Sequence, residues 1–139
     1  MLRQFTMNDY KDVMNLWQRT EGMGLRALDD SFEGIEKFLD RNPTTNFVYS
    51  KDEKIVGAIL CGHDGRRAYI YHAVVDSNYR GQRIGKELVD AVIDALRDIG
   101  INKSALVVFK NNTLGNGFWE HYGFKTREDL IYRDLQINN

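Results

Sequence analysis

Cysteine occurs once in this chain, at Cys61, and proline once, at Pro43. One thiol excludes an intrachain disulfide framework and suits a reducing compartment. No run approaches the roughly 18 apolar residues of a membrane helix, and the N-terminal Met-Leu-Arg-Gln-Phe-Thr-Met-Asn-Asp has no apolar signal core. Membrane insertion and secretion are therefore disfavoured, and a cytoplasmic protein is expected. The formal net charge is only −1, which argues against a bulk electrostatic binder of nucleic acid or of an anionic membrane. Cys61, His63 and Asp64 lie close together in sequence, but they fall short of four ligands and have no paired spacing, so no metal is expected. Internal repeats, low-complexity tracts and long linkers are missing too.

The 139 residues, 42% hydrophobic and 28% charged, suit one soluble domain spanning 1–139. A first strand is predicted near Leu2 to Phe5. Asn8 or Asp9 then caps a helix with Val13, Met14, Leu16 and Trp17 on one stripe. Ser31 caps a second helix, carrying Phe32, Ile35, Phe38 and Leu39, which must end before Pro43 because the residue preceding proline avoids the α region. Phe47 to Ser50, Ile55 to Cys61 and Tyr69 to Val75 read as a meander of strands joined by turns at 51–54 and 62–65. A helix from about Gly85 presents Ile84, Leu88, Val92, Leu96 and Ile99 and stops at Gly100. Ala105 to Phe109 has central-strand character and implies a parallel crossover. A short helix, Thr113 to Tyr122, ends at Gly123, and Phe124 to Arg127 with Leu130 to Leu135 complete a last hairpin.

Between the third meander strand and the long helix lies Val75-Asp-Ser-Asn-Tyr-Arg-Gly-Gln-Arg-Ile-Gly-Lys-Glu-Leu88. The first N–H groups of a helix lack intrahelical partners, and the helix dipole puts partial positive charge there, so an anion docked on Gly81 to Lys86 satisfies both. Arg80, Arg83 and Lys86 add cations, while Gly81 and Gly85 let a ligand approach the backbone. A phosphate or pyrophosphate fits, set against a plain turn opening a helix. Neither Gly-x-x-x-x-Gly-Lys-Ser/Thr nor Gly-x-Gly-x-x-Gly is present, which leaves a phosphate-loop nucleotide protein as a remote alternative.

The same run is similar to the acetyl-CoA signature of the GNAT N-acetyltransferase superfamily, Arg/Gln-x-x-Gly-x-Gly/Ala after a central strand. Asn112-x-x-Gly115-x-x-Phe118-Trp119-Glu-His-Tyr-Gly123-Phe124 resembles that superfamily's second signature. The resemblance implies an α/β (α+β) fold with a GNAT-like mixed central sheet in the order β-α-α-β-β-β-α-β-α-β-β. It implies acetyl-CoA as co-substrate and transfer to a primary amine of a small molecule or protein within a ternary complex. Its pantetheine arm would lie along Ala73 and Val75, its pyrophosphate on Arg80, Gly81, Gln82, Arg83, Ile84, Gly85 and Lys86, with Asn112 and Trp119 at the remaining cofactor positions. Homodimers are frequent in the superfamily.

Two departures stand out. Arg83 replaces the signature's central glycine, and Trp119 stands where many members carry the tyrosine that protonates the departing thiolate; an indole N–H has no useful acidity. A non-catalytic module binding coenzyme A is therefore the alternative reading. For catalysis, strict alternation puts Tyr69, Tyr71, Ala73 and Val75 on one strand face and Ile70, His72 and Val74 on the other. Tyr71 then has either a polar role at the thioester or simple aromatic packing. His72 reads as a satisfied core histidine and His121 as a surface one. Glu21, in the loop after the first helix, either orients the amine or is a solvated carboxylate. In that loop Glu21, Asp29 and Asp30 suit a cationic amine, whereas Arg26 suits a carboxylate.

Overall fold

In the computed structural model, which describes residues 1–138, a five-stranded mixed sheet is flanked by helices. The elements run β1 (Leu2–Gln4), α1 (Tyr10–Gln18), α2 (Phe32–Arg41), β2 (Phe47–Lys51), β3 (Lys54–His63), β4 (Ala68–Val75), α3 (Ile84–Asp98), β5 (Ser104–Leu106) and α4 (Thr113–Tyr122). Strands lie in the order β1-β2-β3-β4-β5, antiparallel from β1 to β4, with β5 parallel to β4. Contacts divide the chain into two compact units, residues 1–107 and the residues from Val108 onward.

In the first unit, consecutive β3 residues point to opposite faces. A Cβ added at Gly57 would meet Leu88 and Ile84 of α3 at 3.0 and 3.1 Å, whereas Ala58 and Leu60 join Val13, Leu16 and Trp17 of α1 and Ile35 of α2 in a buried cluster. Helix α3 covers one face; α1 and α2 cover the other. Along α3, Ile84, Leu88, Val89, Val92 and Leu96 are buried. Ile99, expected on that stripe, is instead the exposed residue ending the helix. Gly100, at φ 77°, turns the chain so that the Ile101 N–H bonds back to the Leu96 carbonyl.

Entry into α1 differs from the expected simple cap. Thr6 flanks a 3-10 turn (Met7–Asp9), and the Asp9 carboxylate reaches back to the Thr6 N–H at 3.0 Å. The same carboxylate takes both Arg3 Nη atoms at 2.7 and 2.8 Å, tying α1 to β1. Burial pushes the Asp9 carboxyl pKa up, but Arg3 and the Thr6 N–H outweigh it and hold the group below its ordinary range. Ser31 caps α2 as expected, accepting from the Gly34 N–H at 3.0 Å. Gly34 is required by close approach, since a Cβ there would lie 2.4 Å from the Asp29 carbonyl oxygen.

Strand β3 outruns β2, whose first residue, Phe47, faces Ile59. Beyond that point side chains replace the ladder. Asn46 Oδ1 accepts from the Cys61 N–H at 2.8 Å, Asn42 Oδ1 from the His63 N–H at 3.0 Å, and the Thr45 hydroxyl donates to the Cys61 carbonyl at 2.6 Å. These three polar residues are buried, as the otherwise unpaired edge demands.

The second unit holds α4. Asn112 Oδ1 caps it by accepting from the Gly115 N–H at 2.8 Å, and Gly123, at φ 125°, ends it. Phe118, Trp119, Tyr122 and Phe124 pack ring against ring. The hairpin expected from Phe124 to Leu135 is not formed: no strand follows α4 among the described residues, and Leu130, Ile131, Tyr132 and Leu135 are exposed. Likewise β5 is confined to Ser104–Leu106, short of the Ala105 to Phe109 expected. Apolar residues of β character suit a strand, but they do not by themselves supply the backbone pairing that makes one.

Candidate functional site

Strand β4 pairs with β5 only from Ala68 to Ile70, against Ser104 to Leu106. It then continues to Val75, held on its other side by β3, with Ala73 opposite Ile59, Val74 opposite Ala58 and Val75 opposite Gly57. From His72 to Val75, therefore, one edge of β4 has no strand beside it among the described residues. Alternate backbone N–H and C=O groups on such an edge are free to accept an extended ligand.

A β-bulge lies where the pairing with β5 stops. Ile59 faces Ala73 and Cys61 faces Ile70, so Tyr71 and His72 share the single opposing residue Leu60. The extra residue breaks the strict alternation read from sequence. Tyr69, Tyr71, His72 and Val74 all turn to the face of α1 and α2, while Ala68, Ile70, Ala73 and Val75 turn to that of α3. Tyr71 thus does not share a face with Ala73. Its ring stands edge-on to Phe38 of α2 at 5.5 Å and against Tyr69 at 4.7 Å, half exposed.

Past Val75 the chain is pinned before it reaches α3. The Asp76 N–H donates to the Val56 carbonyl at 2.7 Å; its carboxylate accepts from Arg19 Nη2 and the Asn78 N–H, both at 2.9 Å. The Arg19 hydrogen bond first, and the Asn78 N–H second, hold the Asp76 carboxyl pKa below its ordinary range. Tyr79 donates its hydroxyl to Asp52 at 2.9 Å, and Lys54 lies over its ring. Asp52 and Glu53 both take positive φ in the β2–β3 turn, and Lys51, entering that turn, donates to the Gln82 side chain. The loop before α3 is thereby fastened to the β2–β3 hairpin.

The loop ends in two left-handed residues, Gly81 at φ 78° and Arg83 at φ 67°. Arg83 occupies the N-cap position and provides no side-chain cap, and the first N–H to find a helical carbonyl is that of Glu87, bonded to Arg83. Ile84, Gly85 and Lys86 thus present the N–H groups of an uncapped 15-residue helix. Arg80, Gly81, Gln82, Arg83 and Lys86 are exposed around them, Gly85 is half-buried, and Ile84 alone turns inward under α3. Lys86 also pairs with Asp90 at 2.7 Å. Arg83 pays for a conformation that suits glycine, at about 1 kcal/mol or more.

The loop joining α1 to α2 leaves Glu21, Arg26 and Asp29 exposed. Asp30 departs from its expected role as a free anion for a cationic amine. It is buried, 6% exposed; Oδ1 lies 2.9 Å from His72 Nε2, Oδ2 accepts from the Arg26 N–H at 2.7 Å, and its carbonyl accepts from Tyr10 at 2.7 Å. Nothing in the sequence links positions 30 and 72. Cys61 and His63 do share a face, yet His63 Nδ1 accepts from the Gly65 N–H within its own turn. Asn112 and Trp119 belong to the second unit, the first capping α4 and the second half-buried among aromatic rings.

Three comparisons bear on this geometry. The model of the acetyltransferase (GNAT) family matches residues 10–124. An acetyltransferase of Pectobacterium atrosepticum is 30% identical over 125 residues, covering 90% of this chain and 87% of the relative. Among solved structures, the PaiA N-acetyltransferase of Thermoplasma acidophilum in complex with coenzyme A superposes with a TM-score of 0.79 at 18% identity, over 91% of this chain and 90% of its own. AAC(6')-Iy in complex with the bisubstrate analogue CoA-S-monomethyl-acetylneamine gives 0.77 at 17% identity, over 99% and 98%.

Proposed function

The chain belongs to the acetyltransferase (GNAT) family, and from that premise we propose that it is an acetyl-CoA-dependent N-acyltransferase acting on a primary amine of a small molecule or protein by direct transfer in a ternary complex. The observation that carries this reading is the parting of β4 from β5 after Ile70, directly before a loop that leads into the uncapped start of α3. The residues suit coenzyme A on their own geometry: an unpaired strand edge matches an amide-bearing pantetheine arm, and orphan N–H groups beside Arg80 and Arg83 match a pyrophosphate. When bound, acetyl-CoA supplies the activated acyl carbon.

The chain's residues do the rest. The β4 backbone at Ala73 and Val75 orients the arm, and the amides of Gln82 to Lys86 hold the phosphates. A preorganised N–H on the same edge faces the negative charge that develops during transfer. Glu21 and Tyr71, exposed on the α1–α2 side, orient the amine. A lysine-like acceptor has a pKa of about 10.4, so a proton must be removed before attack. Thiols titrate near 8.5, so the departing sulfur gains little from an acid, and Trp119 in place of tyrosine does not preclude turnover.

Calorimetry with coenzyme A and acetyl-CoA, followed by free-thiol release across alkylamines, amino sugars and peptide amines, tests the proposal. Binding with product from at least one amine supports it. Saturable binding with no product from any amine supports the sensory module that Trp119 suggests, and no binding removes both.

A further inference from the structure

His72 and Asp30 form a part-buried pair that the family signatures do not contain. The His72 side chain is 12% exposed and that of Asp30 7%. A carboxylate can only accept, so in the neutral ring the 2.9 Å contact puts the proton on Nε2. Nδ1 is left with the basic lone pair and no hydrogen-bond partner among the described residues. The ring is held by Trp17, which meets it edge-on at 4.9 Å; the Trp17 indole N–H is itself buried without an acceptor among the described residues. Asp30 is fixed in turn by the Arg26 N–H, by Tyr10 and by the close packing of Gly34 on its loop. The β-bulge turns His72 toward the α1–α2 face at the residue before Ala73, where the edge toward β5 is open.

We propose that His72 is the catalytic base of this protein, its Nδ1 taking the proton from the acceptor amine, and that Asp30 is its positioning residue. The inference rests on the N-acyltransferase reading above. The acceptor ammonium gives one proton to Nδ1, and the nitrogen lone pair so freed forms the C–N bond while the electron pair of the broken C–S bond leaves on sulfur; the second nitrogen proton passes through solvent to that sulfur, leaving a neutral amide and a thiol. The imidazolium is stabilised by Asp30 until it returns its proton to solvent. Titratable groups around the ring are Asp30 on the loop, Tyr71 beside it on β4, Tyr10 of α1, and Glu33 of α2 acting on Tyr10.

The test compares wild type with His72→Gln, whose amide can still donate to Asp30 but cannot accept a proton, and Asp30→Asn. The acceptor is the best amine of the panel above. In H72Q kcat should fall about 100-fold, with affinity for coenzyme A within about twofold and the acid limb of the kcat profile lost. In D30N kcat should fall with acceptor KM unchanged. Nitrogen-15 correlations of the neutral ring should show Nε2 protonated and Nδ1 bare in wild type. Equal turnover by H72Q and wild type, or a proton on Nδ1, overturns the assignment while leaving the N-acyltransferase reading intact. No turnover by wild type with any amine overturns both. Should H72Q fail to fold, D30N and the nitrogen spectrum decide alone.

Discussion

Arg83 concentrates the physical tension of this molecule in one residue. Its left-handed backbone forces Cβ toward the following carbonyl, a conformation glycine adopts freely and an L side chain does not. The loop tolerates it because Asp76, Tyr79 and Gln82 are each fastened elsewhere. Replacing Arg83 with glycine should raise stability by about 1 kcal/mol, read as a higher urea midpoint at unchanged slope. Affinity for coenzyme A should fall several-fold, because the guanidinium beside the helix start is lost. Unchanged affinity would show that this side chain lies in solvent rather than on a phosphate. Sequence alone marked Arg83 as a misfit for its glycine position, since residue type states φ preference directly. The His72–Asp30 pair was invisible at that level, because burial and pairing across 42 positions leave no local trace.

At the scale of elements, the boundaries written in local chemistry were readable: Ser31 opening α2, Gly100 closing α3, the turn at 51–54, and the apolar stripe of α3 up to Leu96. Those that depend on a neighbouring strand were not. The bulge at Tyr71 and His72 is set by β3 register, so alternation assigns Tyr71 to the wrong face; the C-terminal hairpin expected from its apolar residues is not formed among the described residues. The overhang of β3 illustrates the same dependence. Asn46 serves in place of a strand there, so Asn46→Ala should orphan the buried Cys61 N–H and cost about 2 kcal/mol, measured by chemical unfolding. A loss under about 0.5 kcal/mol would mean that water replaces the amide.

Across the whole molecule, two depressed carboxylates govern the acid response. Asp9 and Asp76 both have folded pKa values below the ordinary value near 3.9, Asp76 chiefly through Arg19, and Asp9 through Arg3 and the Thr6 N–H against the pull of burial. Their contribution is fully present above that value and disappears as pH falls through the lower folded values. Unfolding midpoints should therefore be flat on this account from pH 7 to about 5 and drop below about 4, with the drop diminished in Asp76→Asn. An identical acid profile for that variant would refute the role assigned to Asp76. Since Asp9 ties α1 to β1 and Asp76 ties the end of α1 to the chain leaving β4, acid should loosen both ends of α1 together.

Cys61 sits in the middle strand of the sheet, fully buried, and desolvation pushes its thiol up to about 12. A disulfide reagent meets neither an accessible sulfur nor a thiolate while the strands hold together. Labelling should therefore proceed only as fast as the sheet comes apart, making this single atom an internal clock for breathing of the protein's centre. Native material that modified at the speed of a free thiol would place the sulfur outside.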